Sequence, residues 1–115
     1  MDDLNALRAE AETYLAWASP AGVAAEREDR GDVFYDVSVA FEENVLEYIV
    51  LTDVEDVNRH HEFLLAFGGP TVRLTVDRFG FAWFEHSWVP GRLRVDDALG
   101  TRAAVESILG VVDYD

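Results

Sequence analysis

Apolar side chains recur at helical spacing at the start of the chain. Leu4, Leu7, Ala11, Tyr14, Leu15 and Ala18 share one face, and Glu10 and Glu12 fall elsewhere. This pattern predicts an amphipathic helix over residues 3 to 18. Asp2 and Asp3 stand at the positive end of its dipole, and Ser19-Pro20 ends it because the residue before proline avoids the α region. Residues 20 to 31, PAGVAAEREDRG, carry no such stripe and read as a polar connection with a short extended piece at 22 to 25. From Val33 the period becomes two: Val33, Tyr35, Val37, Val39 and Phe41 alternate with Phe34, Asp36, Ser38, Ala40 and Glu42. A half-buried antiparallel strand is expected there. Glu43-Asn44 reads as a tight turn into a strand from Val45 to Leu51. Because Phe41, Val45 and Ile49 also fit helical spacing, a helix over 42 to 51 is the alternative.

Residues 52 to 61, TDVEDVNRHH, form a polar loop. Phe63 to Phe67 and Thr71 to Val76 then read as strands meeting at Gly68, Gly69 and Pro70, with Val72, Leu74 and Val76 inward and Thr71, Arg73 and Thr75 outward. Asp77 to Gly80 is a hairpin turn in which Gly80 supplies positive φ. An aromatic strand from Phe81 to Trp88 follows, then a turn at Pro90-Gly91 and a short edge strand from Arg92 to Val95. Residues 97 to 112 predict a second helix, with Val105, Ile108, Leu109 and Val112 on one face and Asp97 or Thr101 as N-cap. The order implies one α+β domain over residues 1 to 115: an N-terminal helix, an antiparallel sheet of five or six strands and a C-terminal helix, both helices on one face of the sheet. The other face would carry Arg73, Thr75 and several aromatics.

Charge changes this picture most. The chain holds 23 Asp and Glu against nine basic residues, all of them Arg, for a formal charge of -14. The acids are spread among apolar segments and half the residues are hydrophobic, so they coat a folded core and do not form a disordered tail. Such self-repulsion matters where the Debye length is about 30 Å, in dilute salt, and little where it is about 3 Å, near 1 M. Acid-rich, lysine-free composition resembles that of proteins from salt-in haloarchaea. A GC-rich actinobacterium or its phage is the other source in which Arg displaces Lys. The coat argues against nucleic acid and anionic membranes as partners, and no basic patch with interleaved aromatics is visible. An acidic surface can also imitate DNA, which is a further reading of the same charge. The absence of cysteine removes disulfides and thiolate chemistry and fits a reducing compartment. MDDLNALRAEAETYLAWA lacks the pattern of a secretion signal, and no apolar run has the length of about 18 residues that a membrane span needs. A cytoplasmic location is the expectation.

Residues 62 to 88 carry a resemblance. Glu62, Phe63, Leu65, Gly68, Gly69, Pro70, Arg73 and Leu74, followed by an aromatic strand and Trp88, are similar to a motif of small uncharacterised proteins from phages, plasmids and bacterial genomes. After Trp88 this chain reads VPGRLRV, where that group tends to a Gly-Thr/Lys-Pro-Trp run. The resemblance implies no activity or cofactor.

Candidate chemistry is sparse. Two glycines permit close backbone approach to a phosphate, but phosphate loops lead into a helix and TVRLTV is strand, so the GGP segment reads as a corner between strands. His60, His61 and His86 are the only histidines, and adjacent ones on a strand point to opposite faces. At most one of that pair could join His86 and Glu62 or Glu85 around a metal. Asp53, Glu55, Asp56 and Asn58 miss the order of a calcium loop. Of the four serines only Ser87 adjoins a histidine, and its side chain would diverge from His86. Neither a catalytic set, a metal nor a cofactor is therefore assigned. Phe79, Phe81, Trp83, Phe84 and Trp88 exceed what one sheet face needs. Some should stand on the open face with Arg73, Arg92 and Arg94, an apolar patch with a basic rim suited to a homodimer. The competing expectation is a small enzyme or ligand binder with a pocket formed by Gly68, Gly69, Pro70, Arg73, Glu85 and His86, its ligand unassigned.

Overall fold

The computed structural model describes residues 3–52, 59–98 and 100–112. Helix α1 runs Asp3–Leu15 and tightens into a 3-10 turn at Ala16–Ala18. It buries Leu7, Ala11, Leu15 and Ala18, the stripe read from the sequence, while Leu4 stays exposed. Ser19 then ends one helix and opens another. Its Oγ accepts the Gly22 N–H at 2.9 Å, Pro20 occupies the first turn, and α2 covers Pro20–Arg30 up to a left-handed Gly31. The expected polar connection is thus a helix. Val23 is its one buried residue, too little to register as a stripe.

The strand expected over 33 to 41 is also absent. Asp36 Oδ1 accepts the Val39 N–H at 3.1 Å and caps α3, Val37–Asn44. Val37, Ala40 and Phe41 turn inward at i, i+3 and i+4. The alternation of two was coincidental, because a single buried helical face and a half-buried strand share several positions over so short a segment. Val33 and Phe34 are left on an exposed bend, with Phe34 85% accessible. Glu43-Asn44 accordingly ends a helix and makes no hairpin turn.

Five strands follow: β1 Glu47–Thr52, β2 Arg59–Ala66, β3 Val72–Val76, β4 Ala82–His86 and β5 Val89–Arg94. They pair antiparallel in chain order. The segment around Val45 to Leu51 is therefore strand and not helix, and His60 and His61 lie inside β2 and not in a loop. The Asp53, Glu55, Asp56 and Asn58 loop falls outside the described residues. Asp77 closes the β3–β4 hairpin by accepting the Phe79 and Phe81 N–H groups, and Gly80 takes φ 85° as the turn requires. The β4–β5 turn is Ser87-Trp88. Pro90 and Gly91 belong to β5, where Gly91 takes φ 91° beside a register shift. A second 3-10 turn at Val95–Asp97 leads to α4, Thr101–Val111. Its N-cap is Gly100, in place of the expected Asp97 or Thr101, and the Thr101 hydroxyl lies 2.8 Å from both the Val95 and Ala98 carbonyl oxygens, which share its one hydrogen.

The register lines up Tyr48, Phe63, Leu74, Phe84 and Leu93 across all five strands. Phe63, Leu74, Phe84 and Leu93 are fully buried and share one contiguous core with Leu7, Ala11 and Leu15 of α1 and Ala104, Val105 and Ile108 of α4. The fold is α+β with helices at both ends of an antiparallel five-stranded sheet. Among the described residues no helix is long and apolar enough to cross a membrane.

Candidate functional site

The neighbouring register row holds Ile49, Glu62, Thr75, Trp83 and Arg94, and a third holds Glu47, Leu64, Arg73 and Glu85. By strand alternation these point away from the core, and all are exposed or half-buried. This open face brings together Arg73, Trp83, Glu85, Arg92 and Arg94, five of the candidate residues. It does so through self-contacts. The Arg92 guanidinium sits 3.9 Å from the Trp83 ring centre and that of Arg94 4.5 Å from the Phe81 ring, cation–π geometry that covers the aromatics with the protein's own cations. Arg73 Nε approaches Glu62 Oε1 at 3.7 Å, and His60 Nε2 lies 3.5 Å from Glu62 Oε2. Phe81 and Trp83 thus stand on this face with the arginines, and Phe81 stays 42% exposed beside the Arg94 stacked on it. Arg73, Arg92 and Arg94 stand on the same face as Glu47, Glu62 and Glu85, and Arg94 Nη2 also approaches Asp96 Oδ2 at 3.6 Å, in a chain whose formal charge is -14.

Gly68, Gly69 and Pro70 form the corner between β2 and β3, and Gly68 takes φ 104°. Trp88, in the β4–β5 turn, packs over it: a Cβ on Gly69 would lie 3.6 Å from Trp88 Cζ2. The same end of the sheet is clamped by Thr71, whose N–H donates to Ser87 Oγ at 2.8 Å while its carbonyl accepts the Ser87 N–H. A hollow of about 460 Å³ opens beside this corner, lined by Phe67, Thr71, Arg73, Glu85, His86 and Pro90 among others.

His86 borders the hollow, but its ring turns toward the core. Nδ1 accepts the Trp88 N–H at 3.2 Å, which leaves the hydrogen on Nε2, and Nε2 lies 3.5 Å from Glu10 Oε2 on α1. The ring is edge-on to Tyr14 at 5.9 Å. Glu85 and His86 are consecutive on a strand and diverge, so the imagined convergence of Arg73, Glu85 and His86 does not form. Phe84 is core and Phe79 lies in the hairpin turn. His61 also faces inward, with Nδ1 2.6 Å from the Tyr48 hydroxyl. Among the described residues no group of three or more His, Asp or Glu side chains is placed to hold a metal.

A polar cluster that the sequence reading passed over joins α2 to α3. Arg30 hydrogen-bonds both Glu43 carboxylate oxygens, at 2.6 and 2.9 Å, and Glu26 at 2.9 Å, and it lies over the Tyr35 ring. These bonds hold the Glu43 carboxyl below its ordinary pKa, and burial raises that of the Tyr35 phenol. The i, i+4 spacing of Glu26 and Arg30 was a visible signal once helix was assigned. Glu10 opposite His86 had none, since a helix and a strand 76 positions apart meet only through the fold. No protein-family model, curated protein or solved structure matches this chain.

Proposed function

We propose that the chain is a non-enzymatic interaction domain that associates with a second copy of itself in a salt-rich, reducing cytoplasm. One observation carries this reading: the open sheet face gathers arginines in a molecule that is strongly acidic. Acids outnumber cations in the chain as a whole, whereas on this face three arginines stand among three glutamates, so like-charge repulsion between two copies is weaker there. Ile49 and Leu51 remain 39% exposed on the same face and supply apolar area. Light scattering across a concentration series in about 2 M potassium chloride, where screening is nearly complete, tests it. A species of twice the chain mass is expected, and a monomer at every concentration overturns it.

The hollow beside the GGP corner supports a second reading, a small-ligand site using Phe67, Arg73 and Glu85. His86 offers it little, being engaged with Glu10 and the Trp88 amide. Under this reading a fragment screen by NMR would shift the Thr71, Arg73 and Ser87 amides together, and shifts scattered over the surface would dismiss it.

A further inference from the structure

Resting on the self-association just proposed, we infer that two copies join edge to edge through β1, antiparallel across a two-fold axis, so that their sheets run on as one. An edge strand presents a ready ladder of backbone donors and acceptors, and soluble proteins ordinarily guard it with charge, proline, a bulge or a covering segment. The two edges of this sheet differ in that respect. β5, VPGRLR, carries Pro90, Gly91, Arg92 and Arg94 and a register shift against β4. β1, EYIVLT, has one charged residue, Glu47 at its start, and pairs regularly with β2 over its six residues. Among the described residues no strand lies on its outer side. Ile49, Val50 and Leu51 are all about 40% exposed, at 39%, 43% and 39%, so apolar side chains flank this edge on both faces of the sheet.

Charge selects the occupant. A cationic partner would be steered to the acid-rich surface, whereas β1 itself carries one carboxylate, Glu47 at its start, and an apolar centre that offers a cation little. The stretch suits a body that is itself acidic, and an antiparallel two-fold pairing makes β1 its own complement. Pairing also brings Ile49 and Leu51 of the two copies side by side on the open face, the kind of apolar cross-strand contact that stabilises sheets. The overall charge of -14 on each copy still opposes approach at long range, so the dimer should tighten as salt is added.

Because the chain has no cysteine, single cysteines report the geometry cleanly. Val50→Cys, on the two-fold axis, should form disulfide-linked dimers under mild oxidation at least about ten-fold faster than Phe34→Cys on the exposed α2–α3 bend. Val50 points to the core side of the edge and takes no part in the open face. Val50→Lys should therefore raise the dimer dissociation constant by about ten-fold or more, while Trp83→Ala leaves it within about two-fold. If the wild type dimerises but Val50→Lys still dimerises, Trp83→Ala does not and the β1 cysteine stays unlinked, edge pairing is overturned and self-association stands by another surface. A wild type monomeric at every concentration and salt overturns both. Should Val50→Lys fail to fold, hydrogen exchange over residues 46–52 of the wild type decides: protection that rises with protein concentration supports the edge, and protection independent of it, in a protein that does dimerise, refutes it.

Discussion

Gly22 shows how one residue can be fixed by a neighbour that local pattern does not reveal. A Cβ there would lie 2.1 Å from the Ala16 carbonyl oxygen, because the chain folds back on itself at Ser19. Alanine would gain about 1 kcal/mol of helix propensity, but the clash is with backbone, which does not swing aside, and overpacking costs about 1–3 kcal/mol. Gly22→Ala should therefore lower unfolding stability, by up to about 2 kcal/mol in denaturant titration. At the GGP corner the two glycines should separate. Gly68→Ala must hold an alanine at φ 104° and should cost about 1–2 kcal/mol, whereas Gly69→Ala places its methyl at ordinary contact from Trp88 and should stay within about 0.5 kcal/mol of wild type. Glu43 adds a pH signature. Hydrogen bonds from Arg30 depress its carboxyl pKa in the folded chain, so its contribution is complete above the ordinary carboxylate pKa and is lost as pH falls through the depressed value. Melting curves should show wild type more stable than Glu43→Gln at neutral pH, and the gap should close as pH falls below about 4.

At the scale of elements, the sheet's middle was legible and the helical insert was not. β3 was readable because Val72, Leu74 and Val76 alternate with polar residues, and the Asp77–Gly80 turn has the chemistry its hairpin needs. Residues 20 to 44 defeated periodicity because α2 and α3 each bury a narrow face, Val23 in one and Ala40 in the other. The caps at Ser19 and Asp36 were the usable signals: a serine before proline and an aspartate before an apolar run both announce helix starts. The row Phe63, Leu74, Phe84, Leu93 is where the sheet meets α1 and α4, so Phe84→Ala should cost about 3–5 kcal/mol, read from the denaturant midpoint. The candidate site was legible only in part. Alternation put Arg73 on the open face, but the stacking of Arg92 on Trp83 and of Arg94 on Phe81 depends on the β4–β5 register, which contains a shift that no local pattern announces.

For the whole molecule, the governing quantity is the contrast between a strongly acidic chain and an open sheet face on which three arginines stand among the glutamates. If the acidic coat is an adaptation to salt, as proposed, the melting midpoint should climb steadily between about 0.1 and about 3 M potassium chloride as like-charge repulsion is screened. A flat profile would remove that proposal and leave the charge unexplained. The sequence alone determined the acidic, lysine-free and cysteine-free character, the two terminal helices, the GGP corner and the inward set of β3, because composition is a sum over residues and these patterns depend on near neighbours. Tertiary structure decided which strand is an unguarded edge, which acids and arginines share a face, and that His86 answers to Glu10 and not to Arg73. Those relations join residues far apart in the chain, and they exist only once strand register and helix packing have brought them within a few ångströms.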